Sequence, residues 1–136
     1  MIIGVDVDGT IIDNGPKFKP VPFALESMKA FIDNGASIVL STCRMGRALE
    51  QIRQYLHQNG ITVMVNPIDA QIKRDLPSLH QFGFGVKPFA QLYIDDLAFG
   101  CPLIKLEGFH NKVVDWSIVG PEVIRLLKSH QEEKND

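Results

Sequence analysis

The 136-residue chain predicts an α/β domain of three layers, a parallel sheet with helices on both faces. Two observations predict it. Short apolar runs alternate with amphipathic helical patterns in the order strand, helix, strand, helix, strand, which is the alternation that builds parallel sheets. Polar clusters then close three of those runs, at Asp6-Val7-Asp8-Gly9-Thr10, Ser41-Thr42 and Asp95-Asp96. In open parallel sheets, ligands collect at the carboxyl ends of the strands.

Residues 2–7 form the first predicted strand, apolar and rich in Ile and Val, with Gly9-Thr10 as the turn signal behind it. Two prolines and a glycine between Asn14 and Pro20 break both periodicities and mark a loop. Helical spacing of Phe23, Leu25, Met28, Phe31 and Ile32 predicts a helix over 23–33, closed by Asn34-Gly35. Residues 37–40 read as a second strand, and 46–58 as a helix with Leu49, Ile52, Tyr55 and Leu56 on one stripe and Asn59-Gly60 at its end. A third strand is expected over 61–65. The stretch 68–79 is ambiguous, and Pro77 ends any helix there. Residues 92–94 read as a fourth strand and 103–106 as a fifth, while Pro121 is placed in the first turn of a last helix over 121–127.

Length and composition narrow the function classes. A chain of this length predicts one domain, 1–136, that needs neither disulfides nor a structural metal to fold. Fourteen Lys plus Arg against sixteen Asp plus Glu give a net charge of -2, so no bulk attraction to nucleic acid or to an anionic membrane is expected. Cys43 and Cys101 are too few for a disulfide framework, and His57, His80, His110 and His130 have no metal-ligand spacing, so each reads as surface or packing. Asp6 interrupts the first apolar run too soon for a signal sequence or membrane span. A cytoplasmic protein is the expectation.

The aspartates carry the chemistry. In an extended segment Asp6 and Asp8 point the same way, about 6.6 Å apart at roughly 3.3 Å per residue, and the strand order brings Asp95 and Asp96 to the same rim. One such carboxylate can cap a helix or join a salt bridge. Four together repel, by about 4 kcal/mol per pair at 4 Å and an effective dielectric near 20, which a marginally stable domain tolerates poorly. A cation among them resolves the conflict, and an all-oxygen donor set with open positions suits Mg²⁺.

With these residues in place, Asp6-Val7-Asp8-Gly9-Thr10 resembles the first motif of the haloacid dehalogenase superfamily of phosphatases. Thr42 is similar to the second-motif hydroxyl, Lys87 to the third-motif lysine, and Asp95-Asp96 to the acidic fourth motif. The likeness extends over nearly the whole chain, to Val114-Asp115-Trp116, and looks closest to small capless members, some described as capsule or polysaccharide biosynthesis phosphatases. It implies a Rossmann-like, haloacid-dehalogenase-like sheet without a cap domain. It also implies that Asp6 is the nucleophile, that Asp8 protonates the leaving alcohol and then activates water, and that Asp6, the Asp8 backbone carbonyl and Asp95 hold Mg²⁺. Asp96 is then a further ligand or a support behind the first ones. Thr42 would hydrogen-bond the phosphoryl group and Lys87 neutralise charge on it, although Lys73 and Arg74 also lie between the second and fourth motifs. Arg44, two residues past Thr42, either helps to hold an anion at the helix start or is a surface cation.

Two other phosphate chemistries fit less well. A cysteine phosphatase needs Arg six residues after Cys43, where Leu49 stands; a receiver domain needs an Asp at the end of the third strand, which here ends Val65-Asn66-Pro67. Trp116 reads as a core anchor. The expected activity is hydrolysis of a small phosphorylated metabolite, such as a sugar phosphate, with a nonhydrolytic phospho-ligand module or a phosphotransferase as the alternative. Without a cap the site should be open, either admitting bulky substrates or borrowing a lid from a second copy in a homo-oligomer. Lys17, Lys19 and the loop 82–85 are the segments placed to meet a leaving group.

Overall fold

The computed structural model describes residues 1–15, 18–64 and 88–135. Three strands, β1 (Ile2–Val5), β2 (Ser37–Leu40) and β3 (Leu92–Ile94), form a parallel sheet in the order β2-β1-β3. A parallel bridge from Val39 to Met64 places the expected third strand beyond β2 as a single pairing. Helix α1 (Ala24–Asp33) links β1 to β2, and α2 (Gly46–Gln58) follows β2. A short antiparallel ribbon of β4 (Leu103–Ile104) and β5 (Val113–Val114) precedes the long α3 (Trp116–Asn135). The expected α/β architecture of a parallel sheet with packed helices is the one observed, and the described residues include no second folded unit over the sheet's edge.

The sheet is buried because its strands have little but apolar side chains to offer. Ile3, Val5, Ile38 and Ile94 are all within the core, together with Met28 and Phe31 of α1 and Val123 and Leu127 of α3. Each large side chain of this kind stabilises the fold by about 1.5–3 kcal/mol. Gly4 is required by a close approach: a Cβ there would lie 2.8 Å from the Tyr93 ring. That ring crosses β1 and its hydroxyl donates to the Pro88 carbonyl at 2.7 Å.

Three expectations need correction. The first strand ends at Val5 rather than Val7, because the chain turns: the N–H groups of Thr10, Ile11 and Ile12 all converge on the Val7 carbonyl. The last helix starts at Trp116, with Pro121 inside it rather than in its first turn. Asp115 supplies the start signal, its carboxylate accepting from the Ser117 N–H at 3.2 Å as an N-cap does. The predicted fifth strand shrinks to Leu103–Ile104, whose partner β5 carries no run long enough to read as a strand.

Candidate active site

Register builds the site. Val5 pairs with Leu40 on one side and with Ile94 on the other, so the next residues along the three strands, Asp6, Ser41 and Asp95, emerge side by side. The ladder continues into this edge: the Asp6 N–H donates to the Ile94 carbonyl and the Ser41 N–H to the Val5 carbonyl, both at 2.9 Å. With neighbouring strands about 4.8 Å apart, the carboxylates of Asp6 and Asp95 must meet, and Asp96 joins them. One oxygen from each of the three lies within 4.8 Å of the others.

Each carboxylate feels the others. Burial first, then the hydrogen bond to Asp96 and the charge of Asp95, push the Asp6 carboxyl up from 3.8 to about 7. Asp96 is also raised, again chiefly by burial, with Asp95 adding to the shift while its bond to Asp6 opposes it. Three half-buried carboxylates in mutual contact are a donor set for a hard divalent cation, whose charge would replace the proton that Asp6 otherwise retains. The residues present therefore fit Mg²⁺.

Thr10 is the residue that sequence reasoning passed over as part of a turn. It is fully buried. Its hydroxyl donates to Asp6 Oδ2 at 3.3 Å and accepts from the Asp96 N–H at 3.2 Å, while its carbonyl accepts from Trp116 Nε1 at 2.7 Å. Thr10 thus ties the β1 acid to the β3 acids and both to the core, where Trp116 is 1% exposed as the anchor expected of it. Gly9 makes room. Its φ of 79° lies in the left-handed region, and a Cβ there would stand 2.2 Å from Asp96 Oδ2.

Asp8 does not join the three carboxylates with its side chain. Arg44 grips it through two bonds, Nε to Oδ2 at 2.9 Å and Nη2 to Oδ1 at 2.6 Å, the bidentate geometry that makes arginine–carboxylate pairs strong. The turn after Val5 frees Asp8 from the alternation that an extended strand would impose. Arg44 is therefore neither a free anion-holding group nor a simple surface cation; the Asp8 carboxylate holds its guanidinium above its ordinary pKa. Thr42 stands at the β2 end, where its hydroxyl accepts from the Arg44 N–H at 3.0 Å and keeps its own proton to donate. Lys19 is a tie rather than a ligand hook: Nζ donates to the Gly108 carbonyl at 3.0 Å and sits 4.3 Å from the Phe109 ring centroid. Lys87, Lys73, Arg74, Lys17, His80 and the loop 82–85 lie outside the described residues. Both cysteines are free thiols.

A cleft of about 490 Å³ opens beside Arg44, between the loop after β1 and helix α2. Ile12, Gly15 and Phe18 form one wall, and Gln51, Gln54, Tyr55 and Gln58 the other.

Comparison with known proteins bears on the family and the fold. Residues 3–68 match the family model of haloacid dehalogenase-like hydrolases. Among solved structures, the chain is similar to the conserved protein coded by a locus of Bacteroides thetaiotaomicron, with 28% identity and a TM-score of 0.61 over 90% of this chain and 88% of that one. No curated protein matches.

Proposed function

We propose, from the premise that this chain belongs to the haloacid dehalogenase superfamily of hydrolases, that it is a Mg²⁺-dependent phosphomonoester hydrolase working through an aspartyl phosphate on Asp6. The observation that carries the reading is the meeting of Asp6, Asp95 and Asp96 at adjacent strand ends. Asp6 and Asp95, with the Asp8 carbonyl, would hold the ion, and Asp96 would ligate it or support the ligands. The ion would supply positive charge against the carboxylates and the phosphoryl oxygens.

The side chains divide the remaining work. Asp6 attacks phosphorus, and Thr10 holds its carboxylate in place through the 3.3 Å bond to Oδ2. Thr42 donates its hydroxyl proton to a phosphoryl oxygen, having oriented itself on the Arg44 N–H. Asp8 delivers the proton to the leaving oxygen, and later removes one from the water that attacks the aspartyl phosphate. Both Asp8 oxygens are occupied by Arg44, so Arg44 has to release one of them before Asp8 can carry that proton. An incoming phosphoryl group is the natural competitor for the guanidinium. Lys87 is the family-like candidate to neutralise charge on the phosphate. The substrate is a small phosphorylated metabolite and the setting cytoplasmic; no helix among the described residues is long and apolar enough to cross a membrane.

The test is phosphate release from an aryl phosphate with Mg²⁺ and with chelator. Turnover that needs the ion is expected. Equal release in chelator overturns the reading, and Mg²⁺-dependent ligand binding without release across a broad panel favours a nonhydrolytic module.

A further inference from the structure

We infer that the cleft between α2 and the loop after β1 is the leaving-group subsite, and that Gln51, Gln54 and Gln58 select a neutral, hydroxyl-rich group such as a hexose. The inference rests on the phosphatase reading above for its chemistry, and on the cleft itself for its specificity. Arg44 lines the cleft and grips Asp8, so the cleft begins one side chain away from the residue proposed to protonate the leaving oxygen. A group bonded to that oxygen has this adjoining space to extend into.

The lining then decides what fits. Gln51, Gln54, Tyr55 and Gln58 recur at helical spacing and share one face of α2. A glutamine amide offers two donors and an acceptor, the complement of sugar hydroxyls, which both donate and accept. Phe18 and Tyr55 supply apolar ring surface for the C–H faces of a sugar ring. They pack on each other edge to face, centroids 4.7 Å apart and planes at 75°, so they form no pair of parallel faces to sandwich a nucleobase. Arg44, the one cation among the described lining residues, is already paired with Asp8. The volume lies within the range of about 300–1,000 Å³ usual for small-molecule sites.

The experiment measures kcat/KM for hexose 1- and 6-phosphates, nucleoside monophosphates and methyl phosphate, and reads the ratio of hexose phosphate to methyl phosphate. A preference for hexose phosphates is expected, falling about 3- to 10-fold in Gln54→Ala and further in the Gln51/Gln54/Gln58 triple alanine variant, since each lost neutral hydrogen bond is worth about that factor. Glu50→Gln, on α2 outside the cleft lining, serves as the control and should not reduce that ratio. Calorimetric titration of a hexose phosphate in Mg²⁺ supplies a second measurement: binding should weaken in the glutamine variants whether or not phosphate is released. No release from any compound, with this loss of binding intact, sinks the hydrolase reading alone. An unchanged ratio and unchanged binding in the triple variant, a collapse of the ratio in Glu50→Gln, or a preference for nucleotides overturns the subsite.

Discussion

Thr10 and Gly9 show how two small side chains can govern an acidic cluster that neither belongs to. Thr10→Val keeps the shape but removes the hydroxyl that serves both Asp6 and Asp96, leaving the Asp96 N–H without that acceptor. A loss of about 1–3 kcal/mol is expected in a denaturant titration, together with weaker binding of Mg²⁺. Gly9→Ala forces a Cβ into a left-handed φ of 79° and against Asp96 Oδ2. It should cost about 2–3 kcal/mol and displace Asp96, visible as a lower melting temperature and a reduced gain on adding the ion. Asp6→Asn separates chemistry from folding. It removes the oxygen proposed to attack phosphorus and one of three crowded charges, so phosphate release should fall at least about a thousandfold. The melting temperature of the metal-free protein near pH 8 should hold or rise; a variant that unfolds would show that the loss is structural.

At the scale of elements, the β1 edge and the start of α3 are held by one another. Trp116 is the first residue of α3, packs 6.1 Å from the Phe31 ring of α1 and donates to Thr10 behind the acids. Asp115→Ala removes the carboxylate that accepts from the Ser117 N–H and hydroxyl. The expected cost is about 1 kcal/mol by thermal or chemical unfolding, the usual worth of an N-cap. Some elements were legible in advance. The predicted spans of β2 and α2 coincide with those observed, because the apolar run Ile38-Val39-Leu40 and a clean 3.6-residue stripe bounded by Asn59-Gly60 leave little choice. The start of α3 was not. A proline reads as a first-turn residue, and the competing signal, Asp115 two residues before Ser117, is short enough to occur by chance in any polar loop.

For the molecule as a whole, proton and ion linkage follow from the raised carboxyl of Asp6. With a value near 3.8 unfolded and about 7 folded, the native state binds more protons than the unfolded state between those limits. This group's contribution to stability is therefore greatest below about pH 4 and is lost as pH rises through about 7. Metal-free protein should show this decline in melting temperature, and Mg²⁺ should raise the melting temperature more at pH 8 than at pH 5, by the mass action of a ligand that binds the native state. A metal-free profile that rises steadily from pH 4 to 8, with no larger Mg²⁺ effect at pH 8, would contradict the crowded-carboxylate picture.

The primary order alone determined the alternation of strands and helices and which residue types end each strand, because hydrophobic period and turn chemistry are local properties. It was enough to bring Asp6, Asp95 and Asp96 to one rim. Only the tertiary structure decided that Asp8 turns to Arg44, that Thr10 joins the acids to Trp116, and that α2 and the β1 loop enclose a cleft. Those contacts join residues 36 and 106 positions apart. No local pattern encodes them, since hydrogen bonds and ion pairs depend on where the packed core carries each backbone and not on which neighbours a residue has along the chain.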